Sequence, residues 1–401
     1  MAKEKRSYQE MSADPAAQEM LQLADELGLS TAFRRAEDLA PCNIGGAGMC
    51  CKICGMGPCR LTKEGQTGVC GATIDTIQAR NFIRAIASGA AAHSDHGRDM
   101  AFTLKAVANG EAEGYVIRDV AKLRNIASIY GIEVNDRTAS EIANDLADLY
   151  TAQFGQQKGQ VALVIRAPDK RQKLWKDLGV MPRGIDREVV EALHRTHIGD
   201  DQDYEHILQH AIRTAIADGW GGSLIATDVS DILFGTPAPI LAQANLGVLK
   251  EDMVNVVVHG HEPTLSQMIV AASQDPEIIE YAKNAGAKGV NLSGICCTAN
   301  EILMRQGIPA AGNFLHQELA ILTGAVEAMI VDVQCIMQAL SNLANNFHTK
   351  IITTSPKVKI KGAMHIEFDE HKALSIAKEI LKTAVDNYKN RGKTHIPKEC
   401  E

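Results

Sequence analysis

Aromatic residues are scarce in this chain: two tryptophans, seven tyrosines and eight phenylalanines amount to 4% of 401 residues. Its cores must therefore be built mainly from Ala, Val, Ile and Leu. Positive charge is not in excess either. The formal net charge is −8, which argues against a nucleic-acid partner, because phosphates are met by a surplus of Lys and Arg. No uninterrupted apolar run approaches the length of a membrane span, and the stretch around Leu319 to Val331 is broken by Glu327. The opening MAKEKRSYQE is polar and no apolar segment follows it, so neither a secretory leader nor a transmembrane segment is expected, and a cytoplasmic location is. No G-x-G-x-x-G follows a strand-like run, so no dinucleotide site is expected.

Cysteine, by contrast, is abundant. Six of the ten cysteines fall between Cys42 and Cys70. A reducing cytoplasm disfavours disulfides, so a cluster of this density points to metal. The remaining composition, 45% hydrophobic and 22% charged, is that of a globular protein of two or three domains.

Along the chain, Met20, Leu21, Leu23, Ala24 and Leu27 recur at helical spacing within a polar lead of about 35 residues. Residues 41–71 are rich in Gly and Cys without periodicity, and are expected to need ligands or a partner to order them. From Thr73 to about Gly235 the pattern is mainly helical, with stretches at Ile74 to Ala87, Asp99 to Ala108, Ala139 to Tyr150 and Tyr204 to Ala217. Past Thr236, strand-like runs (Val254 to Val258, Gly289 to Leu292, Ala328 to Val333, Lys350 to Thr354) alternate with helical ones. This alternation predicts a parallel sheet of Rossmann type. The expected fold is thus mixed α and α/β: a mainly helical domain over 1–236 carrying the cysteine-rich segment, then a Rossmann-like domain over 237–401. The closing KNRGKTHIPKECE is polar and linker-like, as at the start of a connection to another domain.

Cys51, Cys54, Cys59 and Cys70 form C-x2-C-x4-C-x10-C. Four thiolates can hold one cubane cluster. Gly55, Gly57 and Gly71 are expected where the backbone wraps closely around it. Adjacent Cys50 and Cys51 point apart in any regular backbone and are expected to serve different centres. Cys42 and Cys50 then make half a ligand set, which a second subunit across a two-fold axis would complete. Zinc is the competing reading, but tetrathiolate zinc generally uses two C-x2-C knuckles and only one is present. His93 and His96, three apart in AAHSDHGRD, would share one helix face as a proton relay or ligand pair, with surface or capping histidines as the plainer alternative.

A second constellation lies at strand ends. VVVHGHEP places His259 and His261 after the first Rossmann-like strand, GICCTANE places Cys296 and Cys297 after the second, and MIVDVQC ends at Cys335. In open parallel sheets ligands bind beyond the carboxyl ends of strands. Three such deliveries to one edge point to a metal centre, with zinc or non-haem iron also compatible.

Taken in order, CNIGGAGMCCKICGMGPCR, AAHSDHGRD, DGWGG, HGHEP, GICCTANE and MIVDVQCIMQ resemble the catalytic subunit of anaerobic nickel–iron carbon monoxide dehydrogenases, over almost the whole chain. The resemblance implies a homodimer interconverting carbon monoxide and water with carbon dioxide, electrons and protons. It implies that Cys51, Cys54, Cys59 and Cys70 hold one relay 4Fe–4S cluster per chain, and that Cys42 and Cys50 hold half of a cluster shared between two chains. His261 and Cys297 match ligands of the iron beside nickel, and Cys335 a ligand of the iron–sulfur part of that centre. His93 matches the active-site histidine, with His96 continuing toward the surface and Asp218 as a pocket acid. A ferredoxin-like acceptor is implied, with a nickel-insertion ATPase or an acetyl-CoA synthase as further partners. The family's third domain carries three more cluster cysteines and a catalytic lysine. This sequence stops before it, after Cys335 only Cys400 remains, and the nickel–iron–sulfur ligand set is expected to be incomplete. The alternatives are a truncated, non-catalytic electron-relay protein and a hybrid-cluster hydroxylamine reductase. Asp99 and Phe102 stand where the family's histidine run often continues.

Overall fold

The computed structural model describes residues 5–198 and 200–398. Following the chain, a first amphipathic helix, α1 (Pro15–Glu26), precedes the cysteine-rich segment, whose short antiparallel ladder pairs β1 (Cys50–Cys51) with β2 (Cys59–Arg60). Then come the long α2 (Ile74–Ala108), α3 (Ala139–Gly155), α4 (Ile185–Arg195), α5 (Tyr204–Ala217) and α6 (Ser223–Phe234). Strands β3 (Val254–Gly260), β4 (Val290–Ile295), β5 (Ala310–Gly312), β6 (Val326–Val331), β7 (Lys350–Thr353) and β8 (Met364–His365) alternate with helices that include α7 (Pro263–Ser273), α8 (Cys296–Gln306) and α9 (Ala373–Asn387).

Two compact units result. One holds residues 40–110 and 116–233 and is helical; the other holds 1–39, 111–115 and 234–401 and contains the six-stranded sheet.

In the helical unit, α2 is one 35-residue helix rather than the two segments read from periodicity. No proline interrupts it, and the polar AAHSDHGRD run masks an apolar stripe that continues through Ala90, Met100 and Leu104. Between α5 and α6 the chain widens into a π-turn over Asp218–Gly222, with Trp220 outside helical dihedrals. Here two backbones meet almost without side chains between them. A Cβ on Gly97 would lie 2.4 Å from the Gly222 carbonyl oxygen, and one on Gly222 would lie 2.7 Å from the Ser94 Cα. Residues 41–71 build no core alone, as expected: Leu61 is buried, but against Ala72 and Ile77, with Cys51 and Ile74 packed on them, so the small core is shared with the start of α2.

In the α/β unit the strands run parallel in the order β5-β4-β3-β6-β7-β8. Counting only these six strands, that is the 3-2-1-4-5-6 order of doubly wound dinucleotide folds, with the reversal of direction between β3 and β6. Every residue of β3 and β6 is buried, as a sheet covered on both faces requires. β5 and β8 escaped the sequence reading because AAG and MH are too short to show a period.

The domain division read from the sequence needs one correction. Residues 1–39 belong with the sheet and not with the helices that follow them. The apolar face of α1 (Ala16, Ala17, Met20, Leu21, Ala24) packs into the same core as Leu319, Leu322 and Met329, and the buried Glu318 carboxylate accepts the Ala32 N–H at 2.6 Å. An amphipathic stripe announces that a face will be buried, not which core will bury it. The polar stretch after Tyr388 is likewise no loose linker in its described part. Arg391 donates to Glu327 through Nε at 2.7 Å, and the His395 N–H donates to the Thr323 carbonyl at 2.7 Å. Among the described residues no helix is long and apolar enough to cross a membrane.

Candidate metal centres

In the helical unit, the thiols of Cys51, Cys54, Cys59 and Cys70 line one pocket, together with Ile53, Val69, Ile77 and Arg80. The β1–β2 pairing sets Cys51 opposite Cys59. Strand alternation turns the neighbouring Cys50 to the other face, and it is not among the lining residues. Gly57 is closely packed: a Cβ there would stand 3.0 Å from the Cys59 nitrogen and 3.3 Å from the Cys51 carbonyl oxygen, so a side chain would have to push the loop aside. Gly71 has φ +84°, a left-handed conformation suited to glycine. Gly55 is not required by space, because a Cβ there would meet nothing within 4 Å. The Cys59 sulfur accepts the Val69 N–H at 3.5 Å. The Ala72 N–H and the hydrogen-bonding Arg80 guanidinium hold the Cys70 thiol below its ordinary range. Backbone N–H groups and a cation directed at thiol sulfur fit thiolates bound to iron and sulfide, whose negative charge such donors stabilise. Cys42 is exposed and caps a single helical turn, its sulfur accepting the Gly45 N–H at 3.4 Å; that contact and the Ile44 N–H lower its pKa.

In the α/β unit, the strand ends named above flank the switch point of the sheet. His261 follows β3, Cys335 follows β6, and Cys296 and Cys297 follow β4, the other neighbour of β3. The arrangement is held by a residue that the sequence reading passed over. Asp332 is buried and its Oδ1 accepts the N–H of His261 at 2.7 Å and that of Val333. Its Oδ2 accepts the N–H of Glu262 at 3.2 Å and the hydroxyl of Thr298 at 3.1 Å. One carboxylate thus ties together the exits of β3 and β6 and the start of α8. Burial pushes its pKa up to about 7 against those donors. A Cβ on Gly260 would fall 1.7 Å from the Asp332 Oδ1, so the second residue of HGHEP is glycine for want of room. His259, on the strand itself, is wholly buried; its Nε2 lies 3.0 Å from the Gln317 Oε1, and Gln317 in turn donates to the Cys335 carbonyl at 3.1 Å. It supports the Cys335 loop from inside the fold.

Cys296, Gln334 and Cys335 have φ of 64°, 63° and 57°, left-handed values rare for residues with a side chain. Burial first, then the charges of Cys335 and Cys297, raise the Cys296 thiol to about 12, and Cys297 is raised by burial and Cys335. Thiols that oppose each other's ionisation are ones that a metal cation would stabilise as thiolates, although among the described residues no three His, Cys, Asp or Glu side chains are gathered closely enough to form a closed metal site. With His261, the donors are sulfur and imidazole, a set suited to iron, nickel or zinc.

His93 projects from the middle of α2, its Nδ1 3.0 Å from both carboxylate oxygens of Asp218, while the Ser223 hydroxyl donates to the Asp218 Oδ1 at 2.7 Å. The Asp218 hydrogen bond raises the His93 pKa above 6.5, against partial burial. Since the folded pKa is raised, the stabilisation from the pair is fully present below pH 6.5 and is lost as pH rises through the higher folded value. Replacing Asp218 by Asn is therefore expected to move the His93 midpoint down to or below 6.5, as read by NMR titration of the imidazole; an unmoved midpoint would show that Asp218 does not set it. His96 was expected to lead outward, but it is buried and is the less exposed of the two histidines. Asp99 is half-buried and Phe102 is 55% exposed.

With this geometry in place, comparison with known proteins is decisive. The model of the Prismane/CO dehydrogenase family matches residues 49–399. This chain belongs to that family. Its family relatives include carbon monoxide dehydrogenase 1 of Methanosarcina mazei, 54% identical over 99% of this chain and 64% of the relative. Carbon monoxide dehydrogenase 1 of Carboxydothermus hydrogenoformans is 47% identical over 96% of this chain and 61% of the relative. Among solved structures, a nickel-free carbon monoxide dehydrogenase of Thermococcus sp. AM4, produced without the CooC maturase, superposes with a TM-score of 0.97 at 51% identity, covering 100% of this chain and 64% of that one. An acetyl-CoA synthase/carbon monoxide dehydrogenase structure gives 0.95 at 42% identity, covering 99% and 60%. The chain thus spans a little under two thirds of the length of these family members. Cys400, the one cysteine that follows Cys335, lies outside the described residues.

Proposed function

We propose that this chain serves a carbon monoxide dehydrogenase, CO + H2O ⇌ CO2 + 2 H+ + 2 e−, as the part that carries the electron-relay ligands and three ligands of the reacting centre. The observation that carries the reading is the placement of His261, Cys297 and Cys335 just beyond the carboxyl ends of three adjacent strands, in a chain that also lines one pocket with four cysteines. When bound, a nickel–iron–sulfur centre would supply a metal-activated water and a two-electron couple, and 4Fe–4S clusters would take the electrons onward.

The chain's own residues have separable tasks. His261, Cys297 and Cys335 would hold metal, fixed in place by Asp332. Cys51, Cys54, Cys59 and Cys70 would hold the relay cluster. Cys42 and Cys50, on a segment where Cys42 is exposed, would meet their counterparts in a second copy, making a homodimer with one shared cluster. His93, oriented and made more basic by Asp218, would accept protons, with His96 beyond it on α2. The partners consistent with this chemistry are a ferredoxin-like acceptor and, for metal loading or for use of the carbon, a nickel-insertion ATPase or an acetyl-CoA synthase. Thiol ligands kept free of disulfides fit a cytoplasmic location.

The test is metal analysis of the chain purified without air, followed by viologen reduction under carbon monoxide. Iron and sulfide are expected in the chain, and nickel near one per chain together with CO-dependent reduction is expected once the remaining ligands of the centre are supplied with it. Iron and sulfide without nickel, and no reduction, even with those ligands supplied would overturn the reading for this chain and leave an electron-relay protein.

A further inference from the structure

We propose that Arg80 is the built-in counter-charge of the four-thiol pocket and raises the reduction potential of the cluster held there. The proposal rests on the cluster reading above and adds a residue to it. Arg80, on α2, is only 3% exposed and lines the same pocket as Cys51, Cys54, Cys59 and Cys70. One of its terminal nitrogens donates to the Gln202 Oε1 at 2.7 Å, a neutral acceptor. Its Nε is buried and meets no hydrogen-bond partner among the described residues.

The buried arginines elsewhere are matched differently. Arg391 faces the Glu327 carboxylate and Arg305 faces Glu301. No such carboxylate partners Arg80 among the described residues. A buried guanidinium without an opposite charge is strongly unfavourable. The only groups in this pocket able to carry the missing negative charge are the thiolates.

The direction of the effect follows from charge. Four thiolates around a 4Fe–4S core carry two net negative charges when oxidised and three after one electron is taken up. A fixed cation stabilises the second state more than the first, so it favours reduction. Ile77, buried beside Arg80 on the pocket wall, limits screening of that attraction from its side.

The experiment is a redox titration of the full chain, purified without air, followed by electron paramagnetic resonance. Arg80→Gln is expected to lower the midpoint so that the reduced-to-oxidised ratio at fixed potential falls about tenfold, about 59 mV for one electron. Arg80→Lys, which keeps the charge, is expected to retain most of the parent midpoint. Gln202→Glu leaves Arg80 in place but offers it a carboxylate, and is expected to lower the midpoint in the same sense. It also decides the matter should Arg80→Gln lose its iron. A cluster bound through Cys42 and Cys50 in the same preparation serves as an internal reference that should not move. An intact cluster whose midpoint is the same in Arg80→Gln and Gln202→Glu as in the parent overturns the proposal, as does Arg80→Lys shifting as far as Arg80→Gln. A parent chain without iron and sulfide overturns the cluster reading itself, and the proposal with it.

Discussion

Replacing Gly260 by alanine is expected to abolish metal binding at the switch point and to lower the stability of the α/β unit by about 3 kcal/mol or more. Two causes act together. The backbone at Gly260 has φ +139°, which an L-residue adopts only under strain, and the new methyl would stand 1.7 Å from the Asp332 Oδ1. The carboxylate cannot retreat without releasing the N–H groups of His261, Glu262 and Val333, because it is enclosed at the junction of β3, β6 and α8. Displacing it therefore moves His261 directly. Thermal melting of the metal-free chain reads the stability, and metal content reads the ligand set. The iron–sulfur absorption due to the helical unit should persist, since Gly260 belongs to the other unit. A Gly260→Ala chain that melts with its parent and keeps the same metal would mean that the Asp332 contacts do not fix His261.

The second large effect is expected from Gly97→Ala in the helical unit. The methyl would lie 2.4 Å from a backbone carbonyl, at Gly222, and no rotamer change relieves a contact with backbone. The π-turn must move away from α2, at a cost of about 3 kcal/mol or more. Asp218 lies on the displaced turn, so the His93 Nδ1 contact with both of its oxygens is expected to break, and the His93 midpoint to fall toward 6.5. Gly219→Ala on the same turn is the matched control, because a Cβ there would meet nothing within 4 Å. Histidine NMR and a melting curve on both variants give the answer. If Gly97→Ala kept the high His93 midpoint, close packing of the two glycines would not be what positions Asp218.

These two sites also show what the sequence disclosed and what it concealed. The strand-end residues were legible because a ligand needs an unusual residue type: His261 in HGHEP and Cys297 in ICCT are conspicuous beside buried valines. Asp332 was not, since an acidic residue at a strand end is commonplace and only its four donors reveal its task. Arg80 was hidden for a similar reason, as one cation among many on a helix whose buried face sequence alone does not fix. The alternation of strands and helices disclosed the parallel sheet, because covered strands must be continuously apolar. It could not give the strand order, which arises from long-range pairing, and so the switch point was recognised only as a set of strand ends. DGWGG was visible as a motif. That its last glycine removes a side chain opposite Gly97 depends on the crossing of two segments 125 residues apart (Gly97 and Gly222), which no local pattern records.

The left-handed backbone at Cys296 and Cys335 has a consequence for how a metal is held. Each such residue stores about 1 kcal/mol of conformational strain, which the surrounding fold must sustain. The direction of each thiol is thus dictated by the backbone beneath it as well as by its own rotamer. Relaxing that aim by Gln334→Gly, which removes left-handed strain beside Cys335 without removing a thiol, would yield a sturdier protein and a poorer keeper of its metal.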